Sequence, residues 1–597
     1  MKVGVGDCFL DSGNFDLLGS VEGLFEAFPV RQISGCAVVW INYRYFQSVG
    51  ICVNSRDIRK QLMTNLLTTF GVESDPKGKD GELHADRYGA TGGAYHGGSG
   101  RCGCAGGFNA KGVGRTPLAS EKVDFYHSHG YLSLTEAIRE AIFSEIAISE
   151  VSTGAVPVVA IIAVDDKFDF LGIEERKAIL VRPNFLRPAH FERSIFFGSV
   201  GSEGSDQYID SARVKSAVKQ YEFDCKSIKR LLFGLAKQLG ELRALRLWQS
   251  QFTTSNLTVS HQLVDFGAFR SVLGWCRYVG AEGEKFGDEV EHLEPVARSL
   301  FYYSGKYLGY KITNNEIRGL LLECKGVIDS SFCSAIFRAC KITTVKENSI
   351  QWLRLSTLFK EYYEYSQKRS VYLHLQGEGG GAWIYNSMID RYRRGGSSSG
   401  SSDSIEQQLI DELYEAMSFD RLQHKSLGCP VSALLWMKPR DEMFYDKSMN
   451  NARVVGEQIN LQADENDFEL CSYIESQIMA NRRVFSEVPL DYFVHSGITR
   501  TGVQTLYCIN RYDKSEAIFI NAFQVSGRIY IEDLCVDIKL LSKDLLSFDV
   551  DSVQIKQVVE AYLPNQEMEV VLGPYQLHIP AMYDYCKELR SEGLVLW

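Results

Sequence analysis

Nowhere in the 597 residues does an apolar stretch reach the ~18 residues needed to cross a bilayer. The opening MKVGVGDCFLDSGNFD also lacks the uninterrupted apolar core of a secretory signal. Neither a membrane span nor export is expected, and the protein is placed in the cytoplasm. An excess of basic charge is missing too: 64 Lys and Arg stand against 75 Asp and Glu, a net charge of -11. Nucleic-acid backbones are bound by neutralising their phosphates, so a general nucleic-acid binder is excluded, although a local basic site is not. The 15 cysteines follow no regular metal-ligand spacing. Cys102-Gly103-Cys104 is too tight for a C-x-x-C pair, so reduced thiols are expected and no zinc site.

What is present is the composition of an ordinary globular protein, 45% hydrophobic, 12% aromatic and 23% charged. The length exceeds what one hydrophobic core supports, so two or more domains are expected. Short apolar strands alternate with amphipathic helices, which reads as a mixed α/β (α+β) fold. Cys36–Asn42 is strand-like and Ile58–Phe70 has helical periodicity. Ser133–Ser149 is a strong helix, with Leu134, Ile138, Ala141, Ile142 and Ile146 on one face. Ala155–Val164 and Lys177–Val181 are nearly continuous apolar runs that read as buried strands. Helices follow at His292–Leu308, Glu316–Leu322 and Ile350–Ser366, then the linker composition GGSSSGSS at 395–402. Past a helical stretch at Ile405–Met417, strands are expected at Thr505–Ile509, Ala517–Phe523 and Arg528–Ile531, with a last pair at Glu567–Leu572 and Tyr575–His578. His495 and His578 read as ordinary packed or exposed histidines. The expected units are 1–280, a helical extension 281–394, a linker 395–404, and a β-rich C-terminal module 405–597 that would bind a partner or a peptide.

Chemistry-bearing residues gather before residue 280. The glycine-dense YGATGGAYHGGSGRCGCAGG carries Gly98, Gly100 and Arg101. Glycines allow the backbone close to a phosphate, and an Arg adds a fork of donors. Lys111 ends a short strand, and Glu140 lies on the helix that follows, where an acid can pair with a strand Lys and hold it over a phosphate. Arg182 and Arg187 lie close together after the second apolar run. Between Thr253 and Phe269, Asn256 and Asp265 flank an alternating apolar run that reads as a β-hairpin. Amide and carboxylate oxygens are hard ligands, suited to Mg²⁺ on phosphates. Each feature alone also fits a plainer account: a flexible loop, a solvated charge, or a chance Asp-Phe-Gly turn.

Together, in this order, SGR at 99–101, NAKGVGRTP, HGYLSLTEAIREAIFSE, VRPNFLRPAHFE and SNLTVSHQLVDFGAF resemble the selenoprotein-O family of kinase-fold protein adenylyltransferases. The resemblance covers roughly residues 20–280, with a helical continuation to about 395. It implies a protein-kinase-like fold that holds ATP in a flipped orientation and transfers AMP. Carried onto this chain, it places Gly98, Gly100 and Arg101 on the nucleotide loop and Lys111 on phosphates, paired with Glu140. Arg187 becomes a phosphate clamp, and Asn256 with Asp265 would hold Mg²⁺.

The departures are as informative. Ser99 replaces the loop aspartate, His129-Gly130-Tyr131 replaces an Asp-Gly-Arg, and the first clamp arginine falls on Leu180, with Arg182 the substitute two residues on. Ser255 occupies the position of the family's general base. A serine does not take a proton from a hydroxyl at neutral pH, which puts ordinary Ser, Thr or Tyr AMPylation in doubt. Two readings follow. One is an ATP-binding pseudokinase scaffold for a partner enzyme. The other is attack by a peptide C-terminal carboxylate, already ionised at pH 7, as in family relatives that work beside an acyltransferase in microcin and siderophore-peptide maturation.

Overall fold

The computed structural model describes residues 21–89, 97–119, 129–170, 172–194, 205–280, 283–347 and 349–372, shorter stretches between 384 and 484, and separate strands between 492 and 578. Helix and strand are mixed throughout. The first half is built on a nine-stranded antiparallel sheet from β1 (Phe25–Gln32), β2 (Cys36–Ile41), β3 (Val72–Ser74), β4 (Gly81–Asp86), β5 (Cys102–Ala105), β6 (Phe108–Lys111), β7 (Leu132–Ser133), β8 (Ala160–Phe170) and β9 (Ile173–Pro183). Their order is β2-β8-β9-β6-β5-β4-β1-β3, with β7 also on β9.

Strand alternation separates two cores. Ala178 and Leu180 of β9 pack with α3 (Leu134–Glu150), whereas Ile179 and Val181 pack with Leu62, Leu66 and Phe70 of α2 (Arg56–Phe70) on the opposite face. A short helix α1 (Tyr43–Ser48) precedes α2. The two apolar runs of the sequence are the inner halves of one antiparallel hairpin. β8 begins at Ala160 rather than Ala155, because Ala155 bridges Leu263 and Val156 N–H donates to Leu263 O at 2.9 Å.

One strand sets the geometry of the site. β6 and β7 lie end to end along the same edge of β9: Lys111 faces Leu180, and Leu132 faces Ala178. The chain therefore leaves β9 at Lys111 and rejoins it two positions further on, directly before α3. Ser133 caps α3 by accepting from Glu136 N–H at 3.1 Å.

A helical layer follows, formed by α4 (Ser205–Gln220), α5 (Cys225–Leu245), α6 (Glu289–Leu308), α7 (Asn314–Ala339) and α8 (Ile350–Gln367). α7 runs well past the Leu322 expected from the sequence, since Ile328, Phe332 and Ile336 continue its buried face. Short strands β10 (Leu247–Gln249) and β11 (Phe269–Ser271) pair with each other, as do β12 (Arg277–Val279) and β13 (Ser370–Tyr372).

The linker sequence at 395–402 lies outside the described residues. Beyond it, α9 (Ile405–His424), α10 (Tyr445–Gln458) and α11 (Asn466–Asn481) do not stand apart from the first half. Leu413, Trp436, Met443, Ala452 and Ile474 share one core with Ile138, Ile142 and Ile146 of α3. Arg440 pairs with Glu150 at the end of α3, both side chains at most 2% exposed. Residues 405–484 thus complete the core rather than opening the expected C-terminal module. Strands do follow: β14 (Tyr492–Ile498), β15 (Gln504–Asn510), β16 (Ala517–Val525), β17 (Arg528–Ile531) and β18 (Leu534–Asp537) form an antiparallel meander, and β19 (Glu569–Leu572) pairs with β20 (Tyr575–His578). No helix among the described residues is long and apolar enough to cross a membrane.

Candidate functional site

Lys111 is 1% exposed and faces α3 from the end of β6. Its ammonium donates to Glu140 Oε1 at 2.5 Å, Glu136 Oε1 at 3.1 Å and Asp265 Oδ1 at 3.1 Å. Burial and the nearby Arg101 oppose its charge, yet the three carboxylates hold its pKa above the usual lysine range. Burial likewise opposes ionisation of Asp265, but Lys111, Arg101 and Arg182 outweigh it and hold the carboxyl well below the ordinary range. Glu140, at the closed end, goes the other way: burial raises its pKa in spite of Lys111.

Two arginines join this network. Arg101 Nη2 donates to Glu136 Oε1 at 3.2 Å, and Nη1 to the Tyr131 carbonyl at 3.2 Å. Arg182 approaches Glu140 Oε2 at 3.8 Å, an oxygen that accepts no hydrogen bond. Three of the cations assigned from sequence therefore meet the carboxylates of α3 and the Asp-Phe-Gly turn. Leu180, where the resemblance would put a clamp arginine, is buried opposite Lys111.

The remaining assigned residues sit on neighbouring loops. Arg187 donates to the Ser255 carbonyl and lies over the Tyr88 and Phe185 rings at 4.9 and 4.5 Å. The Ser255 hydroxyl pairs with Thr253 Oγ1 at 2.9 Å. Asn256 Nδ2 donates to Gln251 O at 3.2 Å, so its side chain is not part of the Lys111 network. The hairpin expected here is absent: 257–264 makes a single antiparallel bridge, Leu257 to Leu263, and no strands. Its apolar residues point into two different cores, Leu257 in one and Leu263 in the other. His261 and Asp265 adopt φ of +65° and +63°, conformations that end extended backbone. Gly98, bridged to Arg87, has φ +149°, and a Cβ there would lie 2.1 Å from Asp86 O. Its lack of a side chain thus serves the contact with β4. Gly100 has no such constraint, since a Cβ would make an ordinary 3.4 Å contact with Ala119.

Four residues that the sequence did not single out support the site. Glu136, one turn before Glu140, binds both Arg101 and Lys111; the i, i+4 spacing was the available signal, masked by its fit to a capping position. Asp86 accepts from Ser99 Oγ and pairs with His190 Nε2 at 3.0 Å, while His190 Nδ1 accepts from Arg187 N–H at 2.9 Å. Burial opposes the Asp86 charge, but His190 and Arg187 keep it ionised. Ser99 thus joins the glycine-dense loop to the Arg187 turn.

Glu192, fully buried, accepts from Thr254 Oγ1 at 2.6 Å. Burial, partly offset by Thr254, Ser299 and Arg213, lifts its carboxyl to about 7. A carboxyl raised above its unfolded value stabilises the fold while protonated, and that advantage is lost as pH climbs from about 4.5 to about 7. Glu192→Gln, which cannot ionise, is expected to gain stability relative to the natural protein between about pH 5 and pH 8, by at most about 3 kcal/mol. Unfolding midpoints at both pH values measure this, and parallel pH profiles would refute it.

Comparison with protein-family models gives no match, and comparison with curated proteins gives none either.

Proposed function

We propose that the chain binds ATP with Mg²⁺ between β6, α3 and the 253–267 segment and transfers AMP to a protein or peptide acceptor, with a C-terminal carboxylate as the nucleophile. The observation that carries this reading is the network around Lys111, which bonds Glu140 and Asp265 directly and reaches Arg182 through Glu140 and Arg101 through Glu136. An antiparallel sheet whose strand Lys pairs with a helix Glu, beside an Asp-Phe-Gly turn, is also the part set of a kinase-like fold. The donor types suit the ligands: Asp265 offers hard oxygens for Mg²⁺ and Arg101, Lys111 and Arg182 offer cationic donors for phosphates, with Asn256 and Arg187 on neighbouring loops where they would complete the set. Bound Mg²⁺ would neutralise phosphate charge. Glu140 holds Lys111 in place from the closed end of the network and keeps it charged.

Ser255 decides the nucleophile. No proton need be removed when a carboxylate oxygen attacks the α-phosphorus. The new O–P bond forms, the bond from that phosphorus to the bridging oxygen breaks, and pyrophosphate leaves with the electron pair. The product is an acyl-adenylate, the species a partner acyltransferase would consume.

Asp265→Ala is expected to cut both release of γ-label as pyrophosphate and transfer of α-label as AMP by a factor on the order of 10³, through loss of a metal-binding carboxylate at the phosphates. ATP bound with no pyrophosphate released and no α-label transferred, with every carboxylate peptide tried, would sink the enzyme reading. Ser255 favours one second reading, an ATP-binding scaffold for a partner enzyme. In that case Asp265→Ala changes only nucleotide-linked partner binding.

A further inference from the structure

Glu136 occupies the two cations that the nucleotide reading assigns to phosphate. A single oxygen, Oε1, accepts from Arg101 Nη2 at 3.2 Å and from Lys111 Nζ at 3.1 Å. Two cationic donors converging on one anionic oxygen is how a phosphate oxygen is bound. The Ser133-x-x-Glu136 spacing would ordinarily return the carboxylate to the start of the helix. Here only half of that arrangement forms: Ser133 accepts from Glu136 N–H, while the carboxylate turns to Arg101 and Lys111. Glu136 holds the charged state firmly, its pKa pulled down to about 2 by Arg101 and Lys111 against the effect of burial. Its side chain is 22% exposed against 1% for Glu140, so it stands at the open end of the network. A Cβ on Gly267 would lie 3.5 Å from both Glu136 Oε1 and Asp265 Oδ1, which places the carboxylate over the Asp-Phe-Gly turn. Glu136, Glu140 and Asp265 do cluster, but Lys111 already supplies their cation.

We propose that Glu136 is a built-in substitute for a phosphate group, which a polyphosphate ligand must displace to reach Arg101 and Lys111. This rests on the nucleotide reading and deepens it, by making Glu136 the residue that selects ligands on their phosphate chain. A ligand without phosphates leaves the carboxylate in place and gains nothing from the two cations. A triphosphate offers several anionic oxygens and replaces it fully, while Glu140 retains Lys111 from behind. Selectivity is thereby set by a competing interaction as well as by attraction.

The test is calorimetric titration of the full chain and of Glu136→Gln with ATP, adenosine and inorganic tripolyphosphate, each with and without Mg²⁺. ATP and tripolyphosphate should bind about tenfold more tightly to Glu136→Gln, adenosine should be unchanged, and the gain should shrink as salt is raised. Unchanged or weaker binding of both polyphosphates would overturn the proposal. Weakening confined to Mg²⁺-containing samples would do so as well, by marking Glu136 as a metal ligand. Tripolyphosphate tightened with ATP not bound would support the role of Glu136 and refute the nucleotide reading; ATP bound equally by both proteins would do the reverse. Glu136→Asp keeps the charge and should tighten binding less than Glu136→Gln, whereas equal tightening would point to helix capping and overturn the proposal.

Discussion

Replacing Lys111 with methionine is expected to destabilise the protein by about 3–5 kcal/mol and to abolish any ATP-dependent transfer. The side chain is similar in length, so little packing is lost. What remains is Glu140, 1% exposed and 2.5 Å from an ammonium that is no longer there, with only Arg182 at 3.8 Å. Leaving one partner of a buried ion pair uncompensated costs more than the pair itself contributes, because the remaining charge is already stripped of water. The double variant Lys111→Met/Glu140→Gln removes both charges and should recover most of the stability without recovering transfer. Thermal midpoints of the two single variants and the double variant form the cycle. Additive losses would show that the pair is not the unit described here.

Arg139→Ala should be comparably severe, at about 3–5 kcal/mol, for a different reason. Arg139 is 1% exposed and bonds the Phe266, Gly267 and Phe269 carbonyls, so one side chain of α3 satisfies the backbone of the Asp-Phe-Gly turn. Its Nε donates to Ser448 Oγ at 3.0 Å, and its guanidinium lies between the Phe143 and Tyr445 rings at 4.5 and 4.8 Å. Truncation leaves several buried carbonyls unpaired and opens a gap against α10. Arg139→Lys keeps the charge but cannot bridge three carbonyls in a plane, so it should recover only part of the loss. Chemical denaturation of both variants is the measurement, and a loss under about 1 kcal/mol for Arg139→Ala would refute this account.

The parts of the site visible in the sequence are those set by local pattern. β6 ending at Lys111 and α3 carrying Glu140 follow from short-range alternation and helical spacing. That a helix acid can pair with the strand Lys is readable from the residues, but whether these two meet depends on where two strands fall along β9, a long-range register that no local window contains. The hairpin between Asn256 and Asp265 was misread for a related reason: its apolar residues alternate in sequence but serve separate cores. α10 was missed because its polar residues outnumber a short apolar stripe, and α11 because its Leu470, Ile474 and Ile478 spacing was not read; both stripes take their place against α3, and that of α11 also against β2. Ser99 reads as a loss against the family pattern, yet its hydroxyl tethers the loop to Asp86.

The burial of α3 under residues from beyond the linker has a consequence for how the protein is made. Lys111, Glu140 and Asp265 have all left the ribosome while Trp436, Met443 and Ile474, which share the core of α3, are still unsynthesised. Until then the outer face of α3 is exposed apolar surface, and Arg139 lacks Ser448 and Tyr445. The nascent chain therefore carries its site residues long before it can hold them in place. The Lys111 network is thus set late in translation, as helices from beyond residue 404 close over a helix made several hundred residues earlier.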